Sequence, residues 1–336
     1  MRVSLTLEIR HSPHHPQSWQ ELFEDCLWLF EQGEQLGFDS LLVQEHFFNE
    51  DGYAPSMPVF LGSLIERTET ARIGSYIYIA PLHHPAQLAQ ETAVLDQLSG
   101  GRLDVALGSG HRVAEYLAFG LNPKTRPSRM EEAIEILKLA WTGERFSYDG
   151  RYFKLDDLIV KPEPLQQPHP PLWLAATAAA PAERAGRHGL NLAGATPDPE
   201  VHAAYREALK ANGHDPGAVS VSNPWSITVT DEDPEKVWER NKHHYHYRWD
   251  YYRKIRAEIG DADLDYGLEP AAEAYRANEL IGDADTVLAT LKPFVDDLGL
   301  TDLVLFGPHP GIDLRGEGYE TVARFAEQVM PTLKSW

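Results

Sequence analysis

A single cysteine, Cys26, stands in 336 residues, so an internal disulfide is impossible and zinc sites built on several thiolates are excluded by count. Basic residues are also scarce: 30 Lys and Arg against 51 Asp and Glu leave a formal charge of −21. Such a chain repels nucleic acid and anionic membranes over a Debye length of about 8 Å at physiological salt, and neither is an expected partner. No long apolar run and no positively charged leader opens the sequence, so the expectation is a cytoplasmic protein in a reducing compartment. The G-x-S-x-G elbow of acyl hydrolases and the G-x-x-x-x-G-K-[ST] loop of NTPases are missing as well.

What remains is a globular composition, 43% hydrophobic and 24% charged, with a regular organisation. Strand-like runs occur at 2–9, 39–45, 72–80, 101–110, 171–177, 190–195, 220–230 and 301–308, separated by segments with apolar residues three and four apart. In "ELFEDCLWLFEQGEQLGF", for example, Leu22, Cys26, Leu29 and Leu36 share one helical face. Eight strand and helix repeats fit a (β/α)₈ barrel with insertions in its βα loops, an open doubly wound sheet being the alternative. Continuously apolar strands favour parallel pairing with both faces covered. The Pro-rich "KPEPLQQPHPP" at 161–171 leads straight into a strand and is read as an irregular crossover, leaving one domain over 1–336.

In a barrel, active sites form at the mouth where the strands end. Those ends carry Glu8, Glu45 with His46, Tyr78 to Pro81, Gly108 to His111, Thr177 with Ala178, Ala195, Ser226 to Thr228, and Phe306 to His309. Glu45 and His46 lie next to Phe47 and Phe48; an imidazole is the side chain type suited to proton exchange near neutral pH, the plain alternative being a loop histidine without chemistry. "GSGHR" at 108–112 lets backbone N–H groups approach an anion, with Arg112 as a charge partner. The "ATAAAPAERAGRHG" stretch reads as a strand, a turn and a helix opening near Pro181 with free N–H groups. Ordinary βα turns would look the same. The histidines of "PLHHP" at 81–85 and "KHHYHYRWDYY" at 242–252 complete no recognised ligand set, so no metal is expected. The second run suits a cover over the mouth, or packing on the outer helices, the default.

Taken together, the stretches "LGFDSLLVQEHFFNEDG", "RIGSYIYIAPLHHPAQLAQETAVLDQLSGGRLDVALGSG", "PLWLAATAAAPAERAGRHGL" and "GDADTVLATLKPFVDDLGLTDLVLF" resemble the bacterial luciferase-like flavin-dependent monooxygenases along nearly the whole chain. The resemblance implies that reduced FMN, taken up as a diffusing substrate, reacts with O₂ to give a C4a-hydroperoxyflavin that oxygenates a small organic molecule. It implies His46 beside the flavin ring with Glu45 as its catalytic neighbour, and a non-prolyl cis bond between Tyr76 and Ile77 supporting the ring alongside Tyr78. It also implies a phosphate site at Gly108, Ser109, Gly110, Thr177, Ala178 and Ala179.

At that phosphate site the chain departs from luciferase. Ala178 and Pro181 follow Thr177 where luciferase subunits have an acidic residue, serine and threonine, so backbone donors must do more. Ser109 replaces an arginine, with Arg112 as the candidate substitute. Phe47, Phe48, Tyr78 and Phe306 are expected to keep the pocket apolar. A flavin reductase and a homodimer are the implied partners. The same resemblance admits a deazaflavin (F420)-dependent oxidoreductase that transfers hydride, and a barrel that binds flavin without chemistry or serves as a partner subunit.

Overall fold

The computed structural model describes residues 1–54, 56–194, 198–259 and 275–336; Ala195, named above as a strand end, lies outside them. All eight expected strands form. In chain order they are β1 (Arg2–Thr6), β2 (Ser40–Val43), a third strand in two pieces, β3 (Arg72–Ser75) and β4 (Tyr78–Ile79), then β5 (Leu103–Gly108), β8 (Leu172–Ala175), β9 (Asn191–Ala193), β10 (Ser222–Val229) and β12 (Asp302–Phe306). Each pairs in parallel with the next, and β12 returns to β1 with Arg2 opposite Asp302. Between β9 and β10 the ring closes on one parallel bridge, Leu192 to Val221, where the Leu192 N–H donates to Ser220 at 2.9 Å. The result is the eight-stranded α/β barrel, and β2 and β5 are buried at every residue, as strands covered on both faces must be.

Two elements lie outside the expected set. A hairpin, β6 (Phe146–Asp149) with β7 (Lys154–Leu158), pairs antiparallel on the surface, and β11 (Leu280–Gly282) adds to the outer end of β10. The hairpin did leave a signal, Asp149-Gly150 between alternating apolar residues.

Helices α1 (Trp19–Gln35), α2 (Met57–Ile65), α3 (Pro85–Leu98), α4 (Val113–Ala118), α5 (Arg126–Ala140), α6 (Ala179–Arg187), α7 (Pro199–Ala211), α8 (Pro234–Ile259), α9 (Ala284–Leu298), α10 (Glu317–Gln328) and α11 (Met330–Ser335) connect and surround the strands. Their starts are local chemistry: Ser18 and Glu21 cap α1 reciprocally, and Asp283 accepts the Thr286 N–H at the head of α9. One buried cluster runs from Val3 to Leu333 and joins the barrel to its helices. Helices α6 and α7 approach so closely that a Cβ on Gly186 would lie 2.6 Å from the Tyr205 carbonyl oxygen and 2.9 Å from the Leu209 nitrogen. Because backbone cannot swing aside, Gly186→Ala should cost about 1–3 kcal/mol, read as a lowered urea midpoint; an unchanged midpoint contradicts the contact.

The barrel floor is polar. Arg2 reaches Asp104 at 2.9 Å and pairs with Asp302, while its guanidinium sits 5.2 Å from the Trp173 ring. Among the described residues no helix is long and apolar enough to cross a membrane, and no group of three or more His, Cys, Asp or Glu is arranged to hold a metal.

Candidate functional site

Opposite that floor, four adjacent strand ends form one arc of the mouth. At the end of β2 the chain leaves the barrel at Glu45 and His46. Adjacent residues leave a strand in opposite directions, and these two do. The Glu45 carboxylate turns outward, accepting the Ile79 N–H at 2.7 Å and holding the His83 Nε2 at 2.9 Å. His46 turns to the mouth, its ring 4.3 Å from Tyr53, 5.8 Å from His111 and 6.1 Å from Tyr251.

Glu45 is thus a bracket for the neighbouring strand piece and not a side-chain partner of His46. Burial depresses the His83 imidazolium, but the hydrogen bond and charge of Glu45, with Glu91, outweigh it and raise the pKa above 6.5. A raised folded pKa gives stability that is complete below pH 6.5 and fades as pH rises through the folded value. The stability gap between the wild type and His83→Gln should therefore be widest near pH 6 and shrink toward pH 9, measured by urea unfolding; a gap that grows with pH contradicts the pairing.

Next along the arc, the Tyr76–Ile77 peptide is cis, at the position the resemblance implied, and it interrupts β3 and β4. Ile77 packs against β5 so tightly that a Cβ on Gly108 would meet its Cδ1 at 1.8 Å, and Gly110 holds φ +64 beneath Ile79. Glycine at these two positions is what lets the cis segment lie on β5. The same construction on Gly108 comes within 3.6 Å of the Ala175 Cβ, which sets the 108–110 turn beside the turn leaving β8. There Thr177, Ala178 and Ala179 are exposed, and α6 opens at Ala179, two residues before Pro181. Ala178 is its N-cap and no side chain caps it. Its first N–H groups are left for an external acceptor, at the positive end of the helix dipole. That donor set fits a phosphate monoester, and the gap-free backing of Ile77 on β5 fits a flat ring.

Other expected residues are placed elsewhere. The Tyr76 side chain points into the barrel, its hydroxyl 3.4 Å from Ser222. The Tyr78 ring is fully buried in the main core beside His83, so it does not line a pocket at the mouth. Phe47 and Phe48 pack on Phe119, with Phe48 65% exposed. Phe306 lies under the Arg248 guanidinium at 4.1 Å. The four apolar residues expected to share one pocket are therefore spread over three places. Arg112 does not turn to the phosphate arc: its Nη1 donates to the Phe47 carbonyl at 2.9 Å and to Asn49 Oδ1 at 2.8 Å.

Across the mouth lies α8, which covers the barrel instead of packing on the outer helices. Residues four apart share a face, and 247, 248, 251 and 252 point down. Tyr247 donates to the His11 carbonyl at 2.8 Å, Tyr251 to Asn49 at 2.6 Å, and the Tyr252 and Tyr53 hydroxyls meet at 2.9 Å. Buried Arg248 donates from Nε to Glu8 at 2.7 Å and from Nη1 to Ser226 at 3.3 Å. Ser226 donates to Glu279, which also holds His309 at 3.0 Å and accepts from Trp249 at 2.9 Å. Burial pushes the Glu279 carboxyl up, but His309 and Arg248 hold it below the usual range. Arg10 sits among the Tyr53, Tyr247 and Tyr251 rings at 4.8, 4.8 and 4.3 Å and pairs with Asp51. Burial and the Glu8 charge push Tyr252 up to about 12, so its phenol stays protonated.

Sequence reasoning named Glu8, Ser226 and His309 as strand ends without joining them. It missed Tyr53, and it missed Glu115, a fully buried carboxylate that accepts the Phe47 N–H at 2.9 Å and stands 3.5 Å from His46 Nδ1. No local pattern marks Glu115, which sits on an ordinary amphipathic turn.

Comparison with known proteins assigns the chain to a class. Residues 1–302 match the luciferase-like monooxygenase family. The chain belongs to that family. Among its relatives, the oxygenase component of a flavin-dependent trigonelline monooxygenase from Acinetobacter baylyi is 26% identical over 314 residues, 88% of this chain and 86% of that protein. An F420-dependent glucose-6-phosphate dehydrogenase from Amycolatopsis mediterranei is 27% identical over 331 residues, 90% of this chain and 92% of the other. A match at 37% identity to an uncharacterized Sinorhizobium fredii protein spans about half of each, 51% and 50%. Among solved structures, monooxygenase RslO1 from Streptomyces bottropensis superposes with a TM-score of 0.84 at 25% identity, covering 99% of this chain and 100% of that one. The luciferase-like family thus contains both flavin monooxygenases and F420-dependent oxidoreductases, and this member is an oxidoreductase of that class.

Proposed function

We propose that this chain is a flavin-dependent monooxygenase that takes up reduced FMN and O₂ and inserts one oxygen atom into a small organic substrate, the other leaving as water. The observation that carries the reading is the arc itself: an imidazole, a cis peptide, a glycine turn and an uncapped helix N-terminus on consecutive strand ends. Support for oxygenation over hydride transfer comes from the full-length likeness to a monooxygenase at a TM-score of 0.84.

Reduced flavin, when bound, supplies the two electrons that activate oxygen. The protein's residues do the rest. The N–H groups at the head of α6 and in the 108–110 turn hold the phosphate; the Tyr76–Ile77 segment backs the ring. His46 accepts or returns a proton at Nε2, and α8, seated by Arg248 and its tyrosines, excludes water. The scarcity of side-chain phosphate ligands suits a cofactor that arrives and leaves as a substrate. A flavin reductase partner accords with the trigonelline relative's being an oxygenase component. A homodimer has apolar surface available at Val59, 70% exposed, and Leu98, 60% exposed.

A second reading, an F420-dependent oxidoreductase, draws on the dehydrogenase relative aligned over 90% of this chain. Incubation with FMN, a flavin reductase, NADH and isotopically labelled O₂ separates the two. Substrate-dependent product carrying the label is the expected result. Anaerobic reduction of F420 by an alcohol, with no labelled product under oxygen, replaces the proposal with the second reading, and neither activity leaves a flavin-binding barrel without chemistry.

A further inference from the structure

Two buried atoms at the edge of the mouth have no hydrogen-bond partner, His46 Nδ1 and Glu115 Oε2. Buried polar atoms are nearly always paired, so each exception asks for a reason. Glu115 is fully buried, carried by α4 to the back of the loop that follows His46. Its Oε1 accepts the Phe47 N–H at 2.9 Å and lies 3.5 Å from His46 Nδ1. A carboxylate that only tied down the loop would need one oxygen and no neighbouring imidazole. The other groups around His46 are Tyr53, from the loop after β2, His111, from the turn after β5, and Tyr251, from α8. Of these four neighbours only Glu115 carries a carboxyl group.

We propose that Glu115 is the positioning residue of His46: its carboxylate draws the ring hydrogen to Nδ1, which leaves the Nε2 lone pair for the mouth. When Nε2 takes a proton from a group bound there, Nδ1–H stays in place and the imidazolium is matched by the Glu115 carboxylate. Returning that proton restores the neutral ring. Which nitrogen of an imidazole is protonated is set by the bond the other one makes, and Nδ1 is the nitrogen buried against the carboxylate. Glu45, next in sequence, is unsuited to the task because both its oxygens engage His83 and Ile79. The inference rests on the proposed function in giving His46 a proton to move.

Nitrogen-15 spectra of ring-labelled histidine in the unliganded protein test it apart from catalysis, with His46→Gln used to assign the signal. In the wild type the neutral His46 ring should be the Nδ1–H tautomer. Glu115→Gln keeps an oxygen for the Phe47 N–H but loses the charge, and should move the ring toward Nε2–H. In the reconstituted reaction it should lower kcat roughly 10-fold to 100-fold, the usual reach of a partner that orients a histidine, with the affinity for reduced FMN unchanged. Glu115→Asp, which keeps the charge on a shorter arm, should recover part of both. An Nε2–H tautomer in the wild type overturns the proposal, as does an unchanged tautomer in Glu115→Gln; the first does not depend on Glu115→Gln folding. The tautomer is read without flavin, so a protein that shows the Nδ1–H form yet binds no flavin refutes the monooxygenase reading and not the pairing.

Discussion

Replacing His46 by alanine is expected to cut turnover by roughly 10² to 10⁴, the range that a positioned general acid or base supplies, with little change in flavin affinity. The separation of the two effects follows from the arc. In the proposed binding mode the phosphate would sit at the head of α6 and at Gly108 to Gly110 and the ring against the Tyr76–Ile77 segment, whereas His46 approaches from the β2 side. Its ring contacts Tyr53 and His111 but holds no part of the phosphate site. The loss should therefore fall on kcat. Single-turnover oxidation of substrate and a separate anaerobic titration with reduced FMN measure the two quantities independently. An unchanged rate removes His46 from the chemistry, and a collapse in flavin affinity makes it a binding residue.

The second large effect belongs to the cover. Arg248→Ala should destabilise the fold by about 3–5 kcal/mol, because it takes from the buried Glu8 carboxylate its hydrogen-bonded cation. Glu8 is 8% exposed, and once Arg248 is gone its nearest cation is Arg10, at 3.7 Å from Oε2. The guanidinium also lies over Phe306 and beside Trp249, so its removal opens apolar surface as well. The damage should concentrate on α8: amide exchange over 234–252 should accelerate more than exchange in β1 or β5. Pairing Arg248→Met with Glu8→Gln should restore much of the loss, since neither side chain then carries a buried charge. A double variant no more stable than Arg248→Ala would contradict an electrostatic origin.

The barrel was legible in the sequence because a strand covered on both faces is apolar at every position, which β2 and β5 are. Its floor and closure were not, since the single bridge from Leu192 to Val221 depends on two short segments meeting. For α8, the aromatic run at 242–252 suited either a cover or packing on the outer helices, since a period of 3.6 says which side chains share a face and nothing about what that face meets. The same limit explains Glu45 and Glu115. Adjacency in sequence made Glu45 the natural partner of His46, although a strand sends neighbours to opposite sides; the carboxylate beside the imidazole comes from α4, 68 residues beyond Phe47. The cis bond at Tyr76–Ile77 fell where the family pattern put it, and the glycines that accommodate it, Gly108 and Gly110, were named for a different duty, approach to an anion.

A crystal of the protein soaked with FMN tests the central claim most directly. The isoalloxazine is expected against the Tyr76–Ile77 segment, its phosphate on the N–H groups of Ala179 and the 108–110 turn, and His46 Nε2 facing the ring. A flavin bound away from this arc, or with His46 turned from it, contradicts the account.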